Sequence, residues 1–136
     1  MAIKILSAKK FAIKLKATIH RSGKLGFGDD TAIALDLKSG KFARFAQDDE
    51  TGGLYLIIDN KESEDAFSFK ETSGFFNIAT RQMFDTLGFD YEHNIIMFDL
   101  IRQSSLDADL QGQVYQMKPR INKRKDKKNE ENIIEP

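Results

Sequence analysis

The sequence predicts an α+β fold that is mainly β: a small mixed-strand barrel with two short helices and a disordered C-terminal tail. Three observations carry this expectation. Residues 11 to 19, FAIKLKATI, alternate apolar and polar side chains, the period of a half-buried strand. Two stretches, SGKLGFGDDTAIALDL from Ser22 and SGFFNIATRQMFDTLGF from Ser73, read alike in the order and length of their elements. From Lys118 onward the aromatic residues vanish and charge dominates, the composition of a chain that cannot bury a core.

The elements follow in order. In the first strand Phe11, Ile13, Leu15, Ala17 and Ile19 share one face, and Lys14, Lys16 and Thr18 share the other. HRSGK is a turn, with Gly23 free to take backbone conformations closed to other residues. KLGF is a short strand. DDTAIALDL is a helix whose N-terminus is favoured by Asp29 and Asp30. KSGK turns, FARFA is a strand, DDETGG turns again, and LYLIID is a near-continuous apolar run suited to a buried strand. After the polar connector NKESED, AFSFK alternates through Phe67 and Phe69. ETSG turns and FFNI is a short strand. ATRQMFDTLGF is a second helix, with Gly88 at its C-terminal cap. DYEHN is a loop and IIMFDLI a buried strand. RQSSLDADLQG is a loop with a turn of helix, and QVYQM is a closing strand.

Each half thus reads strand, turn, strand, helix, turn, strand, which predicts an internal β-β-α-β duplication over residues 11–60 and 65–117. Gly23 to Leu37 aligns with Gly74 to Phe89 with one inserted residue, which makes Leu25 equivalent to Phe76 and Leu37 to Phe89. The expected organisation is one globular domain over 1–117 and a flexible charged tail over 118–136. A barrel of this kind leaves few open strand edges.

Charge is unevenly laid out although the formal net charge is +0. Residues 1 to 24 carry seven basic side chains and no acidic one, and KPRINKRKDKK, 118 to 128, carries seven against Asp126. The stretch between holds seven basic and 17 acidic residues, so an acidic body lies between two basic ends. Basic ends of this kind suit a polyanion. With no Cys there is no disulfide and no thiolate site. His20 and His93 lie beside turns, and Asp29, Asp30, Asp48, Asp49 and Glu50 sit at a helix start and a turn, where acidic residues need no metal. No catalytic motif, metal site or cofactor is expected. GFGDD lacks the Lys-Ser/Thr ending of a phosphate loop. Neither a signal-peptide pattern nor a membrane-length apolar run is found, and a cytoplasmic protein with no membrane contact is the expectation.

The segment SGKLGFGDDTAIALDLKSGKFARFAQDDE resembles the strand, turn, strand, helix, strand unit of AbrB/SpoVT and MraZ-type swapped-hairpin (cradle-loop barrel) transcription regulators. The match is Gly23 at the turn, KLGF as the short strand, the helix ending in ALDL and the return strand KFARFAQD. Residues 73 to 101 match more loosely. The resemblance implies two such units in one chain and DNA binding through basic residues in and beside the unit. Gly28 departs from the proline common before the family's helix, and of those basic residues only Arg21 and Lys24 fall in that region.

The expected function is a non-enzymatic nucleic-acid-binding protein, a DNA-binding regulator that contacts phosphates through Lys9, Lys10, Lys14, Lys16, Arg21 and Lys24. Lys123, Arg124 and Lys125 form a second basic cluster in the tail. One alternative is a structural or interaction module, phage-associated or assembly-related, that forms a homodimer or engages a protein partner through the tail. Another is a single-stranded-DNA binder with exposed aromatics, for which Phe76 and Tyr91 are the candidates.

Overall fold

The computed structural model describes residues 2–6, 8 and 14–124. Nine strands, β1 (Lys16–Ile19), β2 (Leu25–Phe27), β3 (Phe42–Gln47), β4 (Leu54–Asp59), β5 (Phe67–Ser68), β6 (Lys70–Thr72), β7 (Phe75–Ile78), β8 (Asn94–Arg102) and β9 (Gln113–Lys123), form one sheet. Three short helices accompany them: α1 (Asp29–Ala34), α2 (Arg81–Thr86) and α3 (Asp107–Leu110), with single 3₁₀ turns at Leu37–Ser39 and Ser104–Leu106. The spatial order is β5-β3-β4-β9-β8-β1-β2-β7-β6. Its two ends, β5 and β6, are separated in sequence by Phe69 alone, so one bent segment caps both edges and the sheet curls into a nearly closed barrel.

Every ladder is antiparallel, where the sequence reading expected mixed strands. The reason lies in the connections. β1–β2, β3–β4 and β6–β7 are each joined by a short return, β8–β9 by a longer one that carries α3, and all four pair as hairpins. Both helices then lead the chain to the far side of the barrel. There β3 pairs with β5, and β8 pairs with β1.

The pairing pattern is unchanged when the halves are exchanged, with β1 replaced by β5/β6, β2 by β7, β3 by β8 and β4 by β9. β1–β2 then becomes β6–β7, β1–β8 becomes β5–β3, and β3–β4 becomes β8–β9. The β2–β7 and β4–β9 ladders map onto themselves. Their central pairs are Gly26↔Asn77 and Leu56↔Tyr115. Around Gly26↔Asn77, Leu25 corresponds to Phe76 and Phe27 to Ile78, and all four are buried. The helices correspond too. Ala32 N–H bonds Gly28 O as Phe84 N–H bonds Thr80 O, and Leu35 N–H bonds Thr31 O as Leu87 N–H bonds Met83 O. Asp36 (φ 53°) and Gly88 (φ 82°) both take the left-handed conformation that ends each helix. Leu37 and Phe89 follow at corresponding places, the first buried and the second packed against the core.

The core lies inside the barrel, built by alternating residues of each strand. Ala17 and Ile19, Leu54, Leu56 and Ile58, and Ile96, Phe98 and Leu100 all face inward. Phe84 is fully buried, with ring centroids 5.9 Å from Phe98, 5.5 Å from Phe89 and 6.4 Å from Phe45.

Three details differ from the sequence reading. β9 runs to Lys123, so Lys118 to Lys123 pair with β8 instead of opening a tail. Pro119 is tolerated because β4 ends its pairing at Leu54↔Met117, leaving β9 beyond that point with β8 alone as neighbour. Phe76 and Tyr91, expected as the exposed aromatics, are 5% and 4% exposed. Phe76 is an inward position of β7, and the Tyr91 hydroxyl donates to Asp85 Oδ1 at 2.5 Å. That hydrogen bond raises the Tyr91 pKa. Phe75, one residue before, is the outward ring, 56% exposed.

Candidate nucleic-acid interface

β1, β8 and β9 are neighbours, and each sends alternate side chains outward. Register aligns them in rows: Lys16↔Asp99↔Lys118, and Thr18↔Met97↔Arg120. Neighbouring strands lie ~4.8 Å apart, so Lys16 and Lys118 flank Asp99 across roughly 10 Å of surface. Lys14 precedes Lys16 on the same strand direction and is exposed. Arg120 straddles Asp99, with Nε 2.9 Å from Oδ2 and a terminal nitrogen 3.1 Å from Oδ1. The carboxylate at the centre of the patch is therefore answered by the arginine. Lys14, Lys16 and Lys118 make no ion pair with another described residue. The Lys16 backbone N–H donates to Thr31 Oγ1 at 3.0 Å, which fixes β1 against the start of α1 while leaving the ammonium outward.

A second basic group lies at one end of this patch. Arg21 and Lys24 are exposed on the β1–β2 turn, where His20 N–H bonds Lys24 O and Gly23 N–H bonds His20 O. The rows Ile19↔Ile96↔Ile121 and Asn94↔Lys123 bring Lys123 to the same end. The His20 ring lies over Gly26, where a side chain would collide with it, since a Cβ there would come 2.0 Å from Nε2. Arg124 takes a different role. Its backbone N–H bonds His93 O at 2.9 Å, its Nε donates to Tyr91 O at 2.9 Å and a terminal nitrogen to Ile19 O at 3.5 Å. It is half-buried and clamps the end of β9 to the 90–93 loop. Lys9, Lys10 and Lys125 lie outside the described residues.

The structure thus places Lys14 two residues before Lys16, where β1 begins, instead of within the strand expected from residue 11, and brings Arg21, Lys24 and Lys123 to one end. It adds Lys118 and Arg120, which the sequence reading assigned to a tail. Their signal was present: Gln116, Lys118, Arg120 and Asn122 alternate with Tyr115, Met117, Pro119 and Ile121. The proline concealed it. Among the described residues no three His, Asp or Glu side chains converge as a metal site, and no helix is long and apolar enough to cross a membrane. Comparison with protein-family models, with curated proteins and with solved structures finds no match for this chain.

Proposed function

We propose that this chain is a non-enzymatic nucleic-acid-binding protein that lays the outer face of β1, β8 and β9 along a DNA phosphate backbone. The observation that carries the reading is the row Lys16↔Asp99↔Lys118 with Lys14 beside it: cations from strands distant in sequence, brought to one face by register. Arg21 and Lys24 extend the contact at one end, where Lys123 lies on the strand face of Ile121. An outer barrel face with exposed lysines positions a polyanion and carries little base recognition. The burial of Phe76 and Tyr91 favours backbone contact over stacking on these rings.

The finer architecture belongs to the same proposal. The two halves are copies of one β-β-α-β unit, interleaved so that the first strand of each pairs with the third strand of the other. Exchange-invariant pairing and the Leu25–Phe76 and Leu37–Phe89 correspondences support this, and so does the resemblance to swapped-hairpin regulators.

The test is a salt series of binding to duplex DNA by fluorescence anisotropy, comparing the parent with Lys16→Glu/Lys118→Glu. Affinity is expected to fall, and the slope of log affinity against log salt to shrink by roughly 1–2 for two lost phosphate contacts. A folded double variant that binds as the parent does, or a parent that fails to bind at low salt, removes the proposal.

A further inference from the structure

The two helix–turn junctions of the barrel correspond, yet one is closed and the other open. In the second half α2 rests on the β1–β2 turn. A Cβ on Gly23 would come within 2.7 Å of Arg81 Cβ, and the buried Thr80 hydroxyl donates to Gly23 O at 2.9 Å. In the first half α1 lies beside β7 but does not press on the β6–β7 turn. The residue corresponding to Thr80 is Gly28, with no side chain to span the gap, and a Cβ on Gly74 would meet only Asp29 Oδ1, at 3.5 Å. The result is a groove of about 420 Å³ between α1 and the hairpin, lined by Ala32, Ile33, Gly74 and Phe76, with Asp29, Asp36 and Lys38 as its charged residues. Ile33, on a two-turn helix that buries Ala32, is itself 77% exposed, and Phe75 nearby on β7 is 56% exposed. A groove with apolar walls and two carboxylates against one lysine has a net negative edge, which suits a segment that is apolar and cationic.

This chain carries such a segment. Residues 2–6 are Ala-Ile-Lys-Ile-Leu, and Ile3, Ile5 and Leu6 are 88%, 90% and 70% exposed. Lys4 lies between the isoleucines, and no acidic residue occurs before Asp29. Within one chain the segment and the groove stay apart, with Ile3, Ile5, Leu6 and Ile33 in water. The geometry points to reciprocal exchange: the N-terminal segment of each copy docks in the α1–hairpin groove of a second copy, with Ile3 and Ile5 against Ile33 and Phe76 and Lys4 facing Asp29 and Asp36. Two identical contacts related by a twofold axis close the assembly as a dimer. This inference is independent of the DNA-binding proposal, because it uses neither β8 nor β9.

The test is sedimentation of the full chain across a concentration series, with thermal melts to show that each variant is folded. The parent is expected to dimerise. Ile3→Asp/Ile5→Asp, and separately Ile33→Asp, are expected to weaken dimerisation at least tenfold. Mixing these two variants restores one intact segment and one intact groove, so a heterodimer is expected where neither variant alone associates. Lys4→Glu is expected to weaken the dimer, and Lys4→Glu with Asp29→Lys to recover it. A parent that stays monomeric overturns the inference, including the outcome in which hydrogen exchange finds residues 2–6 protected in that monomer. Variants that dimerise as the parent does, or a mixture that forms no heterodimer, overturn it equally.

Discussion

The two helix–turn junctions show how one strand-pairing plan yields a sealed end and an open one. Strand register is the same on both sides of the exchange, and so are the helix hydrogen bonds and the left-handed residues that end the helices. The differences are small side chains at a few places. Phe84 fills the core from α2, where α1 has Ala32. Thr80 ties its helix to a turn carbonyl, where the first half has Gly28. The aromatic core is accordingly lopsided: Phe45, Phe84, Phe89 and Phe98 pack together beside α2, while Phe27 and Phe69 form a separate pair 5.4 Å apart. Backbone pairing sets the architecture, and side-chain volume decides which end is closed.

The largest effect expected from breaking this difference is at Phe84. Phe84→Ala imposes on α2 the small side chain that α1 already has, in a site packed by three other rings. It is expected to cost about 3–5 kcal/mol in urea denaturation. Ala32→Gly, at the corresponding place, removes one methyl group and is expected to cost about 1 kcal/mol, chiefly through the flexibility of glycine in a helix. Similar costs at the two positions would show that the halves are packed alike and that the asymmetry of the core is unimportant to stability.

An intermediate effect is expected at the turns. Gly23 (φ 89°) and Gly74 (φ 85°) share a left-handed conformation, so alanine at either place is strained by roughly 1–2 kcal/mol. Only Gly23 is also pressed by a helix, with Arg81 Cβ in the way at 2.7 Å. Gly23→Ala is therefore expected to lower the melting temperature more than Gly74→Ala. Thr80→Val keeps the shape and removes the donor to Gly23 O, at an expected cost of about 1–3 kcal/mol. Equal melting temperatures for the two alanine variants would show that α2 yields freely and does not hold the turn.

What was legible in the sequence follows from the range of each interaction. Period-two alternation marked the Lys16–Ile19 part of the strand expected from residue 11, Gly88 marked the end of α2, and DDETGG marked the β3–β4 turn. All are local signals. The barrel's closure depends on Phe67–Ser68 pairing with the distant β3 while Lys70–Thr72, past a bend at Phe69, pairs with the adjacent β7, and no local pattern encodes the β5–β3 pairing. The outer basic face was half legible. Lys14 and Lys16 are two residues apart in sequence, but Lys118 joins them only through Asp99 on the intervening strand β8. Phe76 was misjudged because inward and outward positions in a short strand depend on register: the pair Phe75–Phe76 reads the same either way until Phe76 is set opposite Phe27.

The smallest expected effect concerns the two hairpins that leave β3 and β8. The first turns tightly at Asp48–Gly53, where Asp48 Oδ1 accepts from the Glu50 N–H at 2.8 Å and Asp48 N–H bonds Gly53 O at 2.8 Å. The second carries α3, which folds back over Ile57 and Val114, two buried residues outside the main core. Two arginines hold it. Arg44, from the first half, donates to Leu110 O at 2.8 Å and Gln111 O at 2.9 Å. Arg102 grips Asp107 through both terminal nitrogens, at 2.6 and 2.5 Å, and Asp107 Oδ1 also accepts the Val114 N–H at 3.1 Å. The hydrogen bonds from Arg102 hold the Asp107 carboxyl below the usual carboxylate range. A lowered pKa in the folded state means that the ionised carboxylate stabilises this connection above the unfolded carboxylate pKa of about 3.9. That contribution is lost as pH falls through the lower folded value. Acid titration should therefore speed hydrogen exchange at the Val114 amide while the β3–β4 turn, which has no such arginine pair, responds less. Asp107→Asn should remove most of the pH response at Val114 and leave the global melting temperature nearly unchanged, because the pair is largely solvated. An unchanged pH response at Val114 in that variant would place the sensitivity elsewhere and leave Arg44 as the principal hold on the second hairpin.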